Sequence, residues 1–464
     1  MQSCFLKARD ICDRIGRLFI MTNTRIDKQR KLRETIHKSI KKYYKASLAE
    51  QKFVPGKTAV QYAGSVYDEE DLQAMVDVML GGWFGLGKQG ELLEKELTSF
   101  LGAKHTFLVN SGSSADLLAI SSLMSHQFIQ QLHPGDEVIT PACTFPTLVA
   151  ALVHCRLKPV FVDIDLETLN PKPEEIEKAI SKKTRMIFLV HTLGNPNDME
   201  PIMKIARKNN LLVVEDNCDA LGSTYKGKKT GTFGIMATES FYPAHHMTMA
   251  GEGGAVFLND LSLLRIVQSL RDWGRACWCG ASGGGPNGVC NARFKFKIDN
   301  IPYDHKYIFS HIGYNLKPVE IQAAMGRVQL RKVNGFVRIR KKNFASYNTF
   351  FKDYQHYFLL HKAMPKSDPS WFAYPLTVRK DAPFDRFSII QFLEKHKIQT
   401  RPIFAGNILR QPGYKNIEHR KIGNLSNSDN TFTNTFFMGV YPGLTEKHID
   451  YVTSVVKKFI KKYG

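Results

Sequence analysis

The sequence contains no run approaching the roughly 18 apolar residues that a membrane-spanning helix needs, so a membrane partner is not expected. Residues 1–20 also lack the unbroken apolar core of a secretory signal, because Lys7, Arg9, Asp10, Asp13, Arg14 and Arg17 interrupt it. A cytoplasmic location is the expectation. Internal repeats are missing, and low-complexity sequence is confined to the glycine-rich stretch 280–288. Acidic residues are scarce, with 43 Asp and Glu against 64 Lys and Arg and a net charge of +21. Such an excess points to an anionic partner. Apart from one block at 38–45, which reads with its apolar neighbours as an amphipathic helix, the basic residues are scattered. No nucleic-acid-binding motif accompanies them, so a solvated surface and a small anionic substrate account for the charge.

What is present is the composition of a globular enzyme: 464 residues, 43% hydrophobic, 11% aromatic and 23% charged. That is enough chain to bury a full core, and it excludes a disordered or disulfide-stapled scaffold. Between about 90 and 260, short apolar runs at 106–109, 137–139, 159–162, 186–190, 211–214 and 255–258 alternate with helix-length segments such as 174–180 and 201–208. Runs apolar on both faces and separated by helices predict a mainly parallel sheet covered on both sides, an α/β lobe. Beyond 315 the rhythm changes to a long helix over 319–354, a strand over 371–378 and a helix over 384–396, which predicts a smaller α+β domain. The expected division is an N-terminal extension at 1–22, with Met21 as an alternative start, a large domain at 23–315 and a small domain at 316–464.

Ligands of such sheets bind at the carboxyl ends of the strands. There, Val109-Asn110-Ser111-Gly112-Ser113-Ser114 leads from a strand into a helix, a geometry suited to an anion such as phosphate and also to a simple helix cap. Thr144-Phe145-Pro146 follows the next strand, where Phe145 suits either a flat ring or the core. The run ending in Glu215-Asp216 puts two carboxylates at the end of an apolar strand, where Asp216 needs a cationic partner. Ser240-Phe241-Tyr242-Pro243-Ala244-His245-His246 and Gly251-Glu252-Gly253-Gly254-Ala255-Val256 come next.

These pieces, in this order, resemble the DegT/DnrJ/EryC1/StrS sugar aminotransferase family from about residue 50 to the C-terminus. The resemblance implies a type I pyridoxal-phosphate-dependent transferase fold, with a large α/β/α lobe around a mainly parallel mixed sheet and a smaller α+β C-terminal domain. It implies that Asp216 pairs with the pyridine nitrogen, that Phe145 stacks on the ring and that Gly112, Ser113 and Ser240 hold the phosphate. Asn315, in Gly313-Tyr314-Asn315, would serve the phosphate of a neighbouring subunit in a homodimer. The position that carries the Schiff-base lysine in this family is His245 here, and no lysine occurs between Lys229 and Lys295. Imidazole cannot form that bond but is a competent base near neutral pH.

A subset of the family shares the histidine: the 3-dehydratases of nucleotide-linked 4-keto-6-deoxysugars, which hold pyridoxamine phosphate without a covalent bond. Alignment on Pro243-Ala244 puts His245, rather than His246, in the lysine position. Cys218, Cys277, Cys279 and Cys290 have the spacing C-x58-C-x-C-x10-C. Four thiolates bind zinc or an iron–sulfur cluster, and Cys-x-Cys is narrower than the pairs of zinc fingers. The arrangement is similar to that of the iron–sulfur members of the subset, which act on CDP-4-keto-6-deoxy-D-glucose in making lipopolysaccharide dideoxysugars. The resemblance thus implies a 2Fe–2S cluster and an NADH-dependent flavin/iron–sulfur reductase as partner. Two departures stand out: a longer last cysteine gap and Ala250 inserted before Gly251. The segment 400–407 resembles the part of the family that reaches the substrate, which makes Arg401 and Asn407 the expected sugar-nucleotide contacts. A cluster-free transaminating dehydratase and an inactive sugar-binding relative are the rival readings.

Overall fold

The computed structural model describes residues 2–47, 52–277 and 293–464, with side chains of the first helix from Arg25 onward. Three helices precede the sheet: α1 (Gln2–Ser47), α2 (Glu69–Gly81) and α3 (Lys88–Leu101). The basic block at 38–45 lies within α1, which docks on α2 through His37, whose Nε2 is 2.7 Å from Asp77 Oδ1. The backbone of α1 is continuous through Met21. No helix among the described residues is long and apolar enough to cross a membrane.

The large sheet uses β1 (His105–Val109), β2 (Glu137–Pro141), β3 (Lys158–Val162), β4 (Thr184–Val190), β5 (Leu212–Asp216), β6 (Met236–Ser240) and β7 (Gly254–Leu258). Helices α4 (Gly112–Leu123), α5 (Pro146–His154), α6 (Pro173–Lys178), α7 (Met199–Lys208) and α8 (Leu264–Arg271) punctuate it, and α9 (Glu320–Phe351) leads into the C-terminal part. That part comprises β8 (Phe358–Leu360), β9 (Ala373–Val378), α10 (Arg386–Lys395), β10 (Thr400–Arg401), β11 (Arg420–Lys421), α11 (Ser426–Asn434), β12 (Thr435–Gly439) and α12 (Glu446–Tyr463).

The eight strands of the large sheet run in the order β1-β7-β6-β5-β4-β2-β3-β11. Only β7 is antiparallel to its neighbours. Both faces are buried: Phe107, Phe188 and Val214 pack under α4, α5 and α8, while Ile139, Ile187 and Val213 pack under α6 and α7. This double burial is why the strands read as apolar runs rather than alternating ones. Strand β6 escaped the sequence reading because Met-Ala-Thr-Glu-Ser is half polar, yet all five residues are buried in the middle of the sheet.

The four-stranded antiparallel sheet β8-β9-β12-β10 carries the second core, with Phe358, Leu376 and Phe436 against Ile389 of α10 and Val455 of α12. Two stretches cross the boundary expected at 315/316. Val60 packs in this second core and pairs with Ile398, whereas β11 adds the last strand to the large sheet beside β3.

One carboxylate ties the sheet centre to the loops above it. Glu215 is fully buried on β5; its Oε1 accepts the N–H groups of Phe233 at 2.7 Å and Gly234 at 2.8 Å. Its Oε2 accepts Gly231 N at 2.8 Å and lies 3.0 Å from His191 Nε2. Gly234 is required there, since a Cβ would fall 2.3 Å from the Val213 carbonyl oxygen. Replacing Glu215 by Ala strands three buried donors and a buried imidazole, so a loss of about 3–5 kcal/mol is expected. Guanidinium unfolding measures it, and a loss below about 1 kcal/mol would show that the loop holds itself.

Candidate active site

The carboxyl ends of β1, β2, β5 and β6 open onto a cavity of about 440 Å³, closed on its far side by Arg401, Phe404 and Phe437 of the C-terminal part. Ser111 caps α4 by accepting Ser114 N at 3.1 Å, which leaves the first N–H groups of the helix and the Ser113 side chain at the cavity wall. Gly112 allows three segments to meet: a Cβ there would stand 2.6 Å from Ser240 Cβ and 3.3 Å from Cys218 Sγ. Phe145, about half exposed, presents its ring to the same space with Phe404 edge-on at 6.2 Å.

The floor is acidic. Asp216 at the end of β5 accepts Cys218 N at 3.0 Å, and Asp116 on the first turn of α4 accepts Thr238 Oγ1 at 2.8 Å. Burial pushes the Asp116 carboxyl well up, and the charge of Asp216 adds to it; burial raises Asp216 as well. Glu239 behind them is pushed well up by burial although Asn217 Nδ2 donates to it at 2.7 Å. No lysine, arginine or histidine among the described residues forms an ion pair with any of the three. Burial and the neighbouring Asp216 likewise keep the Cys218 thiol well above its usual range. An environment that penalises each negative charge in this way is a site for a cationic group.

Of the two adjacent histidines, His245 lines the cavity and His246 does not. His246 is buried, with Nε2 2.6 Å from the Ser370 carbonyl oxygen, and burial lowers its pKa well below the ordinary imidazole range. His245 stands in a turn closed by its N–H donating to Tyr242 O at 2.9 Å, and its Nδ1 lies 3.3 Å from Asp219 Oδ1. That separation serves an ion pair when the ring is protonated, but it is off the line of a hydrogen bond, for Nδ1 has no hydrogen-bond partner.

The structure therefore brings Gly112, Ser113, Phe145, Asp216, Cys218, Ser240, His245 and Arg401 to one cavity. Arg401 sits at the rim, its guanidinium 4.3 Å from the centre of the Tyr62 ring. Asn407, expected at the substrate, does not line the cavity. It is buried, its Nδ2 donates to Asp429 Oδ1 at 2.8 Å, and its Oδ1 caps its own turn by accepting Leu409 N at 3.1 Å. Asn315 is exposed outside this chain's cavity and accepts Lys317 Nζ at 3.0 Å. Cys277 is half-buried and does not line the cavity, while Cys279 and Cys290 lie outside the described residues. Among the described residues no three His, Cys, Asp or Glu side chains are grouped to hold a metal ion. The sequence reading missed Asp116, Tyr62 and Asp219. Asp219 alone had a local signal, as a third acid in Glu215-Asp216-Asn217-Cys218-Asp219.

Comparison with known proteins gives the family. The model of the DegT/DnrJ/EryC1/StrS aminotransferase family matches residues 65–457. The chain belongs to this family. Within it, the lipopolysaccharide biosynthesis protein RfbH of Salmonella typhimurium is 44% identical over 92% of this chain and 98% of its own length. The dTDP-4-dehydro-2,6-dideoxy-D-glucose 3-dehydratase of Saccharopolyspora spinosa is 46% identical over 88% of each chain. Among solved structures, the Escherichia coli GDP-4-keto-6-deoxy-D-mannose-3-dehydratase with bound hydrated PLP superposes with a TM-score of 0.77 at 29% identity, covering 86% of this chain and 100% of that one. The fold expected from the sequence, that of the pyridoxal-phosphate-dependent aminotransferases, is the fold of this DegT/DnrJ/EryC1/StrS protein.

Two buried histidines, His246 and His361, bear on the acid stability of this chain. His361 is also fully buried, and burial lowers its pKa to about 4. Both rings stay neutral in the folded protein while the unfolded chain takes up protons below about pH 6.5. Stability should be complete above that pH and fall as the pH drops toward 4, by about 1.4 kcal/mol per unit per ring. Denaturation midpoints of wild type and His246→Gln between pH 7 and 5 check this: the variant's slope should be shallower by about one proton, and parallel slopes would refute the assignment.

Proposed function

We propose that the chain is a nucleotide-sugar 3-dehydratase that binds pyridoxamine phosphate non-covalently and removes the C3 hydroxyl of a 4-keto-6-deoxyhexose. The observation that carries this reading is the placement of His245, with no lysine beside it, over a floor of buried carboxylates that have no cationic partner. Relatives named as 3-dehydratases on dTDP- and GDP-linked sugars support it.

The residues suit the cofactor. The α4 N-terminus with Ser113, and Ser240 across Gly112, offer donors for a phosphate; Phe145 covers a ring face; Asp216 meets a protonated ring nitrogen and so relieves the unpaired buried charge. When bound, the cofactor supplies an amine for the C4 ketone and an electron-accepting ring. The imidazole of His245 takes the proton from the cofactor's C4′ carbon, and the apolar walls at Phe404 and Phe437 exclude water from it. Arg401, exposed and without a carboxylate partner among the described residues, receives the pyrophosphate of the substrate. Asn315 serves the phosphate site of a second copy, which makes the working form a homodimer.

The finer reading concerns electrons and substrate. Cys218, Cys277, Cys279 and Cys290 would hold a 2Fe–2S cluster, which would supply single electrons for a reduction after dehydration and would call for an NADH-dependent flavin/iron–sulfur reductase in the cytoplasm as partner. In support, Cys218 stands two residues from Asp216 at the cavity wall. CDP-4-keto-6-deoxy-D-glucose is the substrate that the cysteine resemblance favours, and the likeness to a lipopolysaccharide biosynthesis protein fits that pathway.

Borohydride treatment of the loaded protein should attach no cofactor to any lysine; a lysine adduct found by peptide mapping would overturn the non-covalent mode. His245→Asn should bind cofactor with nearly unchanged affinity in an absorbance titration while turnover falls about 10²–10⁴-fold. Retention of the wild-type rate would move the base elsewhere. Anaerobically purified protein should contain iron and acid-labile sulfide, lost on changing any of the four cysteines to Ser. Turnover by iron-free protein with glutamate as amine donor would instead identify the cluster-free, transaminating form.

A further inference from the structure

The reading of His245 as a base leaves one question that the cavity walls answer: which ring nitrogen faces the reacting carbon. A neutral imidazole carries a single proton on one nitrogen, and only the other can act as a base. We propose that Asp219 is the positioning residue for His245, holding the ring proton on Nδ1 and thereby reserving Nε2 for the cavity. The proposal rests on the functional reading above.

Three observations converge on it. First, Nδ1 of His245 and Oδ2 of Asp219 are both sealed from solvent without a hydrogen-bond partner, while Nδ1 stands 3.3 Å from the other Asp219 oxygen. A buried ring nitrogen without a partner, 3.3 Å from a carboxylate whose second oxygen also lacks one, is satisfied by a small turn of either side chain. Second, the backbone of His245 is held from both sides. Its N–H donates to Tyr242 O at 2.9 Å, and its carbonyl accepts Arg340 Nη2 at 2.9 Å. The same guanidinium donates from Nη1 to Phe372 O at 2.9 Å, and the Phe372 ring lies 5.3 Å from the imidazole centre. The ring can therefore rotate but not leave. Third, Asp219 is itself confined: it is buried, and its carbonyl oxygen would lie 2.9 Å from a Cβ at Gly194. Asp219 also faces the buried guanidinium of Arg340, whose pKa burial lowers to about 10 and which the Asp219 charge pulls back up. His246 is no rival acceptor, because its ring is turned to Ser370.

The proton inventory is simple. Nε2 accepts one proton from the C4′ carbon, the ring becomes an imidazolium, and its new charge faces the Asp219 carboxylate through Nδ1–H. The C–H bonding pair stays with the cofactor, so no oxidant, reductant or further reactant is needed.

Side-chain spectra of the full-length, cofactor-loaded protein carrying nitrogen-labelled histidine test this without turnover. The resonances that vanish in His245→Asn should report an Nδ1–H tautomer; an Nε2–H tautomer would overturn the proposal. In Asp219→Asn, whose amide can donate to the ring, the Nε2–H form should appear. Turnover gives the second arm. Asp219→Asn should lower kcat about 10²-fold or more with KM and cofactor affinity nearly unchanged, and Asp219→Glu should recover part of the loss. Added to His245→Asn, the Asp219→Asn change should cost nothing further. An equal loss in both backgrounds, or a weakened cofactor titration, would make Asp219 a structural residue. If Asp219→Asn does not fold, the wild-type tautomer decides. A wild-type protein inert toward every nucleotide sugar would sink the dehydratase reading and leave the tautomer result standing.

Discussion

The buried carboxylate of Glu215 is the constraint on which the site depends. Strand β5 delivers it into the centre of the sheet, where a negative charge persists only if every lone pair is engaged. It meets that condition with the N–H groups of Gly231, Phe233 and Gly234 and with His191. Those contacts fix the loop that leads into β6, and so the position of Ser240. His191 in turn donates its N–H to Asp216 O at 3.1 Å, which ties the ends of β4 and β5 together. One residue further along β5, Asp216 faces the other way and opens onto the cavity. A carboxylate fully engaged in the fold and one that faces the cavity without an ion-pair partner thus stand side by side on a single strand.

The electrostatics of the molecule run in two layers. Its surface carries the excess of basic residues that gives the chain a net charge of +21. Its cavity floor holds Asp116 and Asp216, with Glu239 buried behind them, none in an ion pair among the described residues, and the rim carries Arg401. The helix N-terminus and the guanidinium suit anionic groups, whereas the floor carboxylates suit a cationic one. That distribution matches a ligand with negative ends and a positive ring.

The neighbouring histidines show how finely the backbone sorts chemistry. His245 and His246 are adjacent and chemically identical, yet one lines the cavity and the other is sealed against Ser370. The turn closed on Tyr242 and the Arg340 guanidinium decide which is which, and neither is visible as a pattern in the chain. Alignment on Pro243-Ala244 nevertheless singled out His245.

Much of the fold was legible because burial on both faces writes a parallel strand as a short apolar run: six of the large-sheet strands were read to within a residue or two. Two were missed, the two-residue β11 and β6; β6 carries Thr238, Glu239 and Ser240 toward its end, so its polarity reflects the site and hides the strand. Motifs local in sequence, such as the serine-rich cap of α4 and Glu215-Asp216, were likewise readable, because their chemistry lies within a few residues. What only the tertiary structure decided were the pairings between distant segments: Asp116 beside Asp216, Asp219 beside His245, Tyr62 under Arg401, and Asn407 diverted to Asp429. Such pairings depend on where strand ends and loops converge in space, and no periodicity in the chain encodes a contact made only after the sheet has closed.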